Sequence, residues 1–161
     1  MKIRFHSTMI QKNSLLKTKP GGLRAGGIVI HEGKILLMHV KRYVDPYEEF
    51  YILPGGHQED GEYLEDTCVR EIQEEFGITA RVKELEMVVI GTSRVAFYFL
   101  CEYTGGDIVL GGPEKELHDS DEPEEIFVEW VDVEKVPNLQ IGPEQNKKAL
   151  INYIEQTIRT S

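Results

Sequence analysis

Glu71, Glu74 and Glu75 stand at i, i+3 and i+4 within the stretch REIQEEFG. On a helix, residues so spaced project from adjacent turns of one face, with Cβ atoms ~5–6 Å apart. Carboxylate oxygens at that spacing suit a hard divalent ion such as Mg²⁺ or Mn²⁺, which completes its shell with waters and a phosphate. Zinc prefers imidazole and thiolate ligands, and this stretch contains neither. The plain alternative is a solvated acidic face. The apolar pattern argues against it. Projected at roughly 100° per residue, residues 62–76 place Leu64, Cys68, Val69, Ile72 and Phe76 along one stripe. Glu75 falls inside that stripe, Glu71 lies on its edge, and Glu74 follows a little further round. An unpartnered carboxylate on an apolar surface costs on the order of several kcal/mol, and bound cations supply a reason for it.

The elements around this helix read as its supports. Pro54-Gly55-Gly56 turns a short strand into a loop, and two adjacent glycines let the backbone approach a ligand closely enough for the Gly56 carbonyl to reach a metal. Asp60 is a candidate N-cap for a helix starting near Glu62, and Gly77 supplies a left-handed stop. Arg70 points away from its neighbour Glu71, toward a carbonyl or carboxylate of the loop. Its planar guanidinium, with five fixed donors, suits it to holding that loop and orienting a catalytic carboxylate, where the plain reading is a surface charge.

The segment Gly55 to Ile78 resembles the signature of the Nudix hydrolases: Gly, five residues, Glu, seven residues, then Arg-Glu-apolar-any-Glu-Glu-any-Gly-apolar. Gly56, Glu62, Arg70, Glu71, Ile72, Glu74, Glu75, Gly77 and Ile78 fill every specified place. So many fixed positions make a chance match far rarer than for a short glycine motif. The resemblance implies an α+β Nudix fold, with a mixed sheet sandwiched between helices. It implies Mg²⁺- or Mn²⁺-dependent hydrolysis of a nucleoside diphosphate linked to another moiety. It also implies that Glu71, Glu74 and Glu75 bind metal, with the Gly56 carbonyl and Glu62 assisting. Glu71, held by Arg70, becomes the candidate general base, and the alternative is an acid from the distant HDSDEPEE segment, residues 118–125.

A chain of 161 residues suits one domain of ~100–200 residues. Residues 1–20 read as an arm or edge strand, and 21–161 as a single domain. There is no run of ~18 or more apolar residues to cross a membrane, and the N-terminus lacks the apolar block of a secretion signal. A cytoplasmic protein is therefore expected. The net charge of −10 disfavours stable binding to nucleic acid but not a small phosphate substrate reached through cations. Cys68 and Cys101 read as small buried hydrophobes.

Runs Leu23–His31 and Lys34–Val40 flank His31-Glu32-Gly33 as a hairpin, with Gly26 and Gly27 marking a bulge, a close approach or a packing need. Phe50–Leu53 is a short strand, and 80–90 pairs with 94–103. A long loop is expected over 104–125, a strand over 126–131, and a helix from Pro143 to about Arg159. Arg24, Tyr43, Tyr47, Tyr98 and Asp119 are candidate substrate contacts. No proline occurs between Gly77 and Pro113, a departure from the ADP-ribose branch that slightly favours a nucleoside triphosphate or modified nucleotide. Two readings compete with the enzyme: a non-catalytic nucleotide sensor on the same fold, and an acidic calcium-binding or interaction protein. A homodimer through the arm or an edge strand is a further expectation.

Overall fold

A computed structural model describes residues 22–91, 94–109 and 124–160. Its strands are β1 (Leu23–His31), β2 (Lys34–Arg42), β3 (Glu48–Ile52), β4 (Gly55–His57), β5 (Thr79–Ile90), β6 (Val95–Gly105) and β7 (Glu124–Asp132). Helix α1 (Leu64–Phe76) lies between β4 and β5. A short 3-10 helix (Val133–Asn138) and helix α2 (Glu144–Thr160) follow β7. The expected arm at 1–20 lies outside the described residues.

The β1–β2 turn places Glu32 and Gly33 at φ 49° and 74°, the left-handed pair whose twist matches the flanking strands. The hairpin pairs only beside its turn, at Ile30↔Ile35 and His31↔Lys34. Beyond it the strands part. β2 pairs with β3 and β7, while β1 runs parallel to β6 from Leu23↔Val95 to Val29↔Cys101 and antiparallel to β4. The sheet order is β3-β2-β1-β6-β5, with β4 on β1 and β7 on β2. This is the mixed sheet that the signature resemblance implies.

Strand alternation sends Ala25, Val29, Leu36 and Met38 to one core, where α1 buries Leu64, Cys68, Ile72 and Phe76. Ile28, Ile35 and Leu37 face the other, under Leu150 and Ile154 of α2. Full burial of each such side chain contributes about 1.5–3 kcal/mol. Gly27 decides how closely α1 can approach, because a Cβ there would strike Ile72 Cδ1. A Cβ at Gly26 would strike the Pro54 carbonyl and the Tyr98 ring. The close approach expected from these glycines is thus to backbone and core. Among the described residues no helix is long and apolar enough to cross a membrane.

Two boundaries differ from expectation. Helix α1 starts at Leu64 with Tyr63 as N-cap and no side-chain cap, so Asp60 does not cap it. The reason is that Glu62 turns back on itself: its N–H donates to Glu59 O and its Oε2 accepts from Glu59 N, which holds residues 59–62 in a turn of their own. Glu124 and Glu125, expected in the long loop, open β7 instead, paired in register with Arg42 and Lys41. Residues 110–123, and with them Asp119, lie outside the described residues.

Candidate active site

Strand β4 carries the glycine loop across β1 through Ala25↔Gly56 and Gly26↔Gly55. The loop then meets α1 backbone to side chain. A Cβ added at Gly56 would fall inside the Glu71 carboxylate, so only glycine admits that acid. One helical turn along, Glu75 is 6% exposed and accepts the Gly55 N–H at 3.0 Å on Oε2. The carboxylate that the apolar stripe flagged is indeed buried, and part of its cost is offset by a backbone donor.

Arg70 ties the loop to the helix with all five of its N–H groups. Nε and Nη2 grip Glu62 in a two-pronged pair at 2.7 and 3.1 Å. The second Nη2 proton goes to His57 O at 3.0 Å, and the two Nη1 protons go to Glu71 Oε1 at 2.9 Å and Glu74 Oε2 at 3.0 Å. Arg70 therefore reaches both a loop carbonyl and a loop carboxylate, but it does not point away from Glu71 as expected: its long side chain folds back so that Nη1 also reaches that neighbour. This guanidinium, with help from the Glu59 N–H and the Thr67 hydroxyl, holds the Glu62 carboxyl at about 2 against an ordinary 4.5. In return Glu62, and then Glu71, push Arg70 higher still. Glu71 moves the other way. Burial raises it, outweighing the Arg70 contact, and its Oε2 accepts no hydrogen bond among the described residues.

Helical spacing puts Glu71, Glu74 and Glu75 on one face, and there each turns to its own partner. Among the described residues no group of three or more His, Cys, Asp or Glu side chains converges closely enough to hold an ion. Glu75 turns inward to Gly55, Glu74 outward to Arg70, and Glu71 lies between them. The physical reason is the five-donor cation at the centre, which draws Glu62, Glu71 and Glu74 to itself. The donor chemistry still fits a hard divalent ion. A half-buried carboxylate whose charged form is disfavoured lies against bare glycine backbone, and every donor is an oxygen.

Beside Glu75 opens a cavity of about 400 Å³ whose lining includes Arg24, Leu53, Arg94, Tyr98 and Asn146. Arg24 is tethered in this lining, donating from Nη2 to Gly55 O at 2.7 Å and from Nη1 to His57 Nδ1 at 3.3 Å. On the inner wall Asn146, 2% exposed, donates from Nδ2 to the Tyr98 hydroxyl at 2.7 Å. Its Oδ1 is buried without a partner among the described residues. Thus Arg24 and Tyr98 come together with Glu75. Tyr43 and Tyr47 do not line this cavity. They lie on the exposed β2–β3 loop, with hydroxyls donated to Glu125 and Glu49. Asn146, Arg94 and Thr67 were missed from the sequence. Asn146 had a readable signal, because it stands at i with Leu150 at i+4 and Ile154 at i+8, a polar residue on the apolar side of α2.

A mixed sheet between two helices, with an acid-bearing helix strapped to a glycine loop through one arginine, defines a nucleotide pyrophosphohydrolase scaffold. The NUDIX domain family profile matches residues 22–153, and the chain belongs to the Nudix hydrolase family, as a pyrophosphohydrolase. It is 30% identical over 151 residues to the ADP-ribose pyrophosphatase of Methanocaldococcus jannaschii, covering 88% of this chain and 82% of that one. Its fold is similar to that of the MutT protein from Methanosarcina mazei Go1, with a TM-score of 0.61 and 21% identity over 87% of this chain and 97% of the other. It is also similar to a Nudix hydrolase from Nitrosomonas europaea, with a TM-score of 0.50 and 29% identity over 68% and 58% of the two chains. Nudix enzymes act on small nucleotide substrates and generally use divalent metal ions.

Proposed function

We propose that this chain hydrolyses the phosphoanhydride bond of a nucleoside diphosphate linked to a second moiety, with ADP-ribose as the first substrate to test. Mg²⁺ or Mn²⁺ would be held by Glu71, Glu74 and Glu75 with the Gly56 carbonyl. The observation that carries this reading is Glu75: a carboxylate 6% exposed, on a face it shares with the glycine loop, at the wall of a nucleoside-sized cavity. Support for ADP-ribose comes from the relative of that activity, which matches over 88% of the chain.

When bound, the metal supplies neutralisation of the diphosphate oxygens and activation of a water for in-line attack. The remaining work falls to side chains. Arg70 holds Glu71 by Oε1, which orients Oε2 toward the site, where Glu71 is the candidate base for the attacking water. Glu74, Glu75 and the Gly56 carbonyl would carry the rest of the metal's shell. Arg24, tethered to the glycine loop in the cavity lining, meets the diphosphate. Tyr98 and Asn146 orient the nucleoside, and Leu53 and Val89 help to exclude water from it. Glu62 is occupied with Arg70, so its part is to hold the loop. Glu124 and Glu125 are engaged by Arg42 and Tyr43, which favours Glu71 over either of them as the base.

The test is a panel of ADP-ribose, sugar nucleotides, nucleoside triphosphates and oxidised nucleotides with Mg²⁺ or Mn²⁺. AMP release from ADP-ribose is expected, and no metal-dependent product from any compound would overturn the reading. A triphosphate or modified nucleotide is the second reading, favoured by the absence of proline between Gly77 and Pro113. Preferred turnover of such a compound would move the assignment there.

A further inference from the structure

Thr67 occupies an unspecified place in the spacing that matches the signature, yet it is wholly buried on α1. Its hydroxyl lies 2.8 Å from Glu62 Oε2 and 3.1 Å from the carbonyl of Tyr63. A hydroxyl has one proton to give. A threonine inside a helix ordinarily gives it to the carbonyl four residues back. Here that carbonyl already receives the Thr67 backbone N–H at 3.0 Å, whereas the carboxylate is both nearer and charged. The proton therefore goes to Glu62, as the stronger, charge-assisted bond.

Glu62 precedes α1, in the turn beginning at Glu59. Its other donors are Glu59 N, which belongs to that exposed turn, and Arg70, which is the group to be held. Thr67 is the donor rooted in the core. We propose that Thr67 is a positioning residue for the hydrolytic site: its hydroxyl fixes the plane of the Glu62 carboxylate, which fixes the Arg70 guanidinium and, through it, Glu71. A two-pronged guanidinium–carboxylate pair needs the two groups coplanar. With all five Arg70 N–H groups engaged, a tilt of Glu62 lengthens a bond to Glu71, Glu74 or His57 O. The inference rests on the proposed role of Glu71.

Thr67→Val keeps the shape and removes the hydroxyl, whereas Thr67→Ser keeps the hydroxyl and removes a methyl. Three readouts are taken: kcat and KM, Mn²⁺ binding followed by electron paramagnetic resonance, and hydrogen exchange at Arg70 Nε–H in ¹H–¹⁵N spectra. Thr67→Val is expected to lower kcat about tenfold, the equivalent of one charge-assisted hydrogen bond, with KM within about twofold. It should also speed Arg70 Nε–H exchange and weaken Mn²⁺ binding. Thr67→Ser should stay near wild type in all three. A purely structural threonine gives the reverse order, because serine leaves a void and valine fills it. If Thr67→Val does not fold, Thr67→Ala against Thr67→Ser supplies the same comparison. A folded Thr67→Val with wild-type kcat and wild-type Arg70 exchange overturns the proposal. Absence of Mn²⁺ binding and turnover in the wild type would instead sink the functional reading, and the exchange rates would still decide the role of Thr67.

Discussion

Replacing Glu62 by glutamine tests the strap between loop and helix most directly. Glutamine keeps the shape but offers one acceptor oxygen where four donors now converge, and it points an NH₂ group at Arg70 or at Thr67 and Glu59. The fall of the Glu62 carboxyl from 4.5 to about 2 corresponds to about 3.4 kcal/mol at neutral pH. The side chains of Glu62 and Arg70 are 19% and 22% exposed, so solvent screens part of this, and a loss of about 2 kcal/mol is expected. In urea titrations that is a midpoint drop of about 1 M. The pH dependence carries the sign. Because folding depresses this carboxyl, its contribution is present above pH 4.5 and is lost as pH falls toward about 2. The gap between wild type and Glu62→Gln should therefore narrow by about 1 kcal/mol between pH 7 and roughly 3.5. A gap under about 0.5 kcal/mol at pH 7, the range of an ordinary surface change, would refute the strap. So would a gap that does not respond to pH.

Glu75→Gln should abolish metal-dependent turnover and leave the circular dichroism spectrum and melting transition close to wild type; wild-type rates at saturating Mg²⁺ would remove Glu75 from the site. Gly56→Ala should displace Glu71, cutting kcat by at least about tenfold and costing about 1–3 kcal/mol from overpacking, both measurable on the purified variant. Asn146→Leu removes a buried oxygen that has no partner among the described residues, a gain that offsets the lost Nδ2 bond to Tyr98, so KM should rise about tenfold at constant kcat while stability changes by about 1 kcal/mol or less. Equal effects of that change on kcat and kcat/KM would place Asn146 with the chemistry rather than the nucleoside.

Much of the site is local in the chain, and therefore legible in it. The i, i+3, i+4 spacing of Glu71, Glu74 and Glu75 and the reach of Arg70 follow from helix geometry alone. The left-handed stop at Gly77, observed at φ 72°, follows from the absence of a Cβ. β5 and β6 read well as two β-rich runs separated in the sequence by Gly91-Thr92-Ser93, whereas the register shifts within β5 were not legible. The start of α1 did not, because the choice between Asp60 and Tyr63 as cap turns on bonds within 59–62 that no propensity records. How Glu71, Glu74 and Glu75 pair with their surroundings also went beyond what spacing can establish. Spacing puts side chains on one face but says nothing of the countercharge between them, and Arg70 supplies it.

What the sequence determined by itself is the chemistry available: carboxylates on one helix face, a pair of glycines in the loop, and an acid where an apolar residue is due. What tertiary structure decided is which groups meet across long stretches of chain. Tyr98 on β6 and Asn146 on α2, 48 residues apart, share a hydrogen bond in the cavity that Arg24 of β1 and Glu75 of α1 also line. Side-chain periodicity places a residue on the face of its own element. Only the packing of one element against another brings two such faces within the roughly 3 Å over which a hydrogen bond acts.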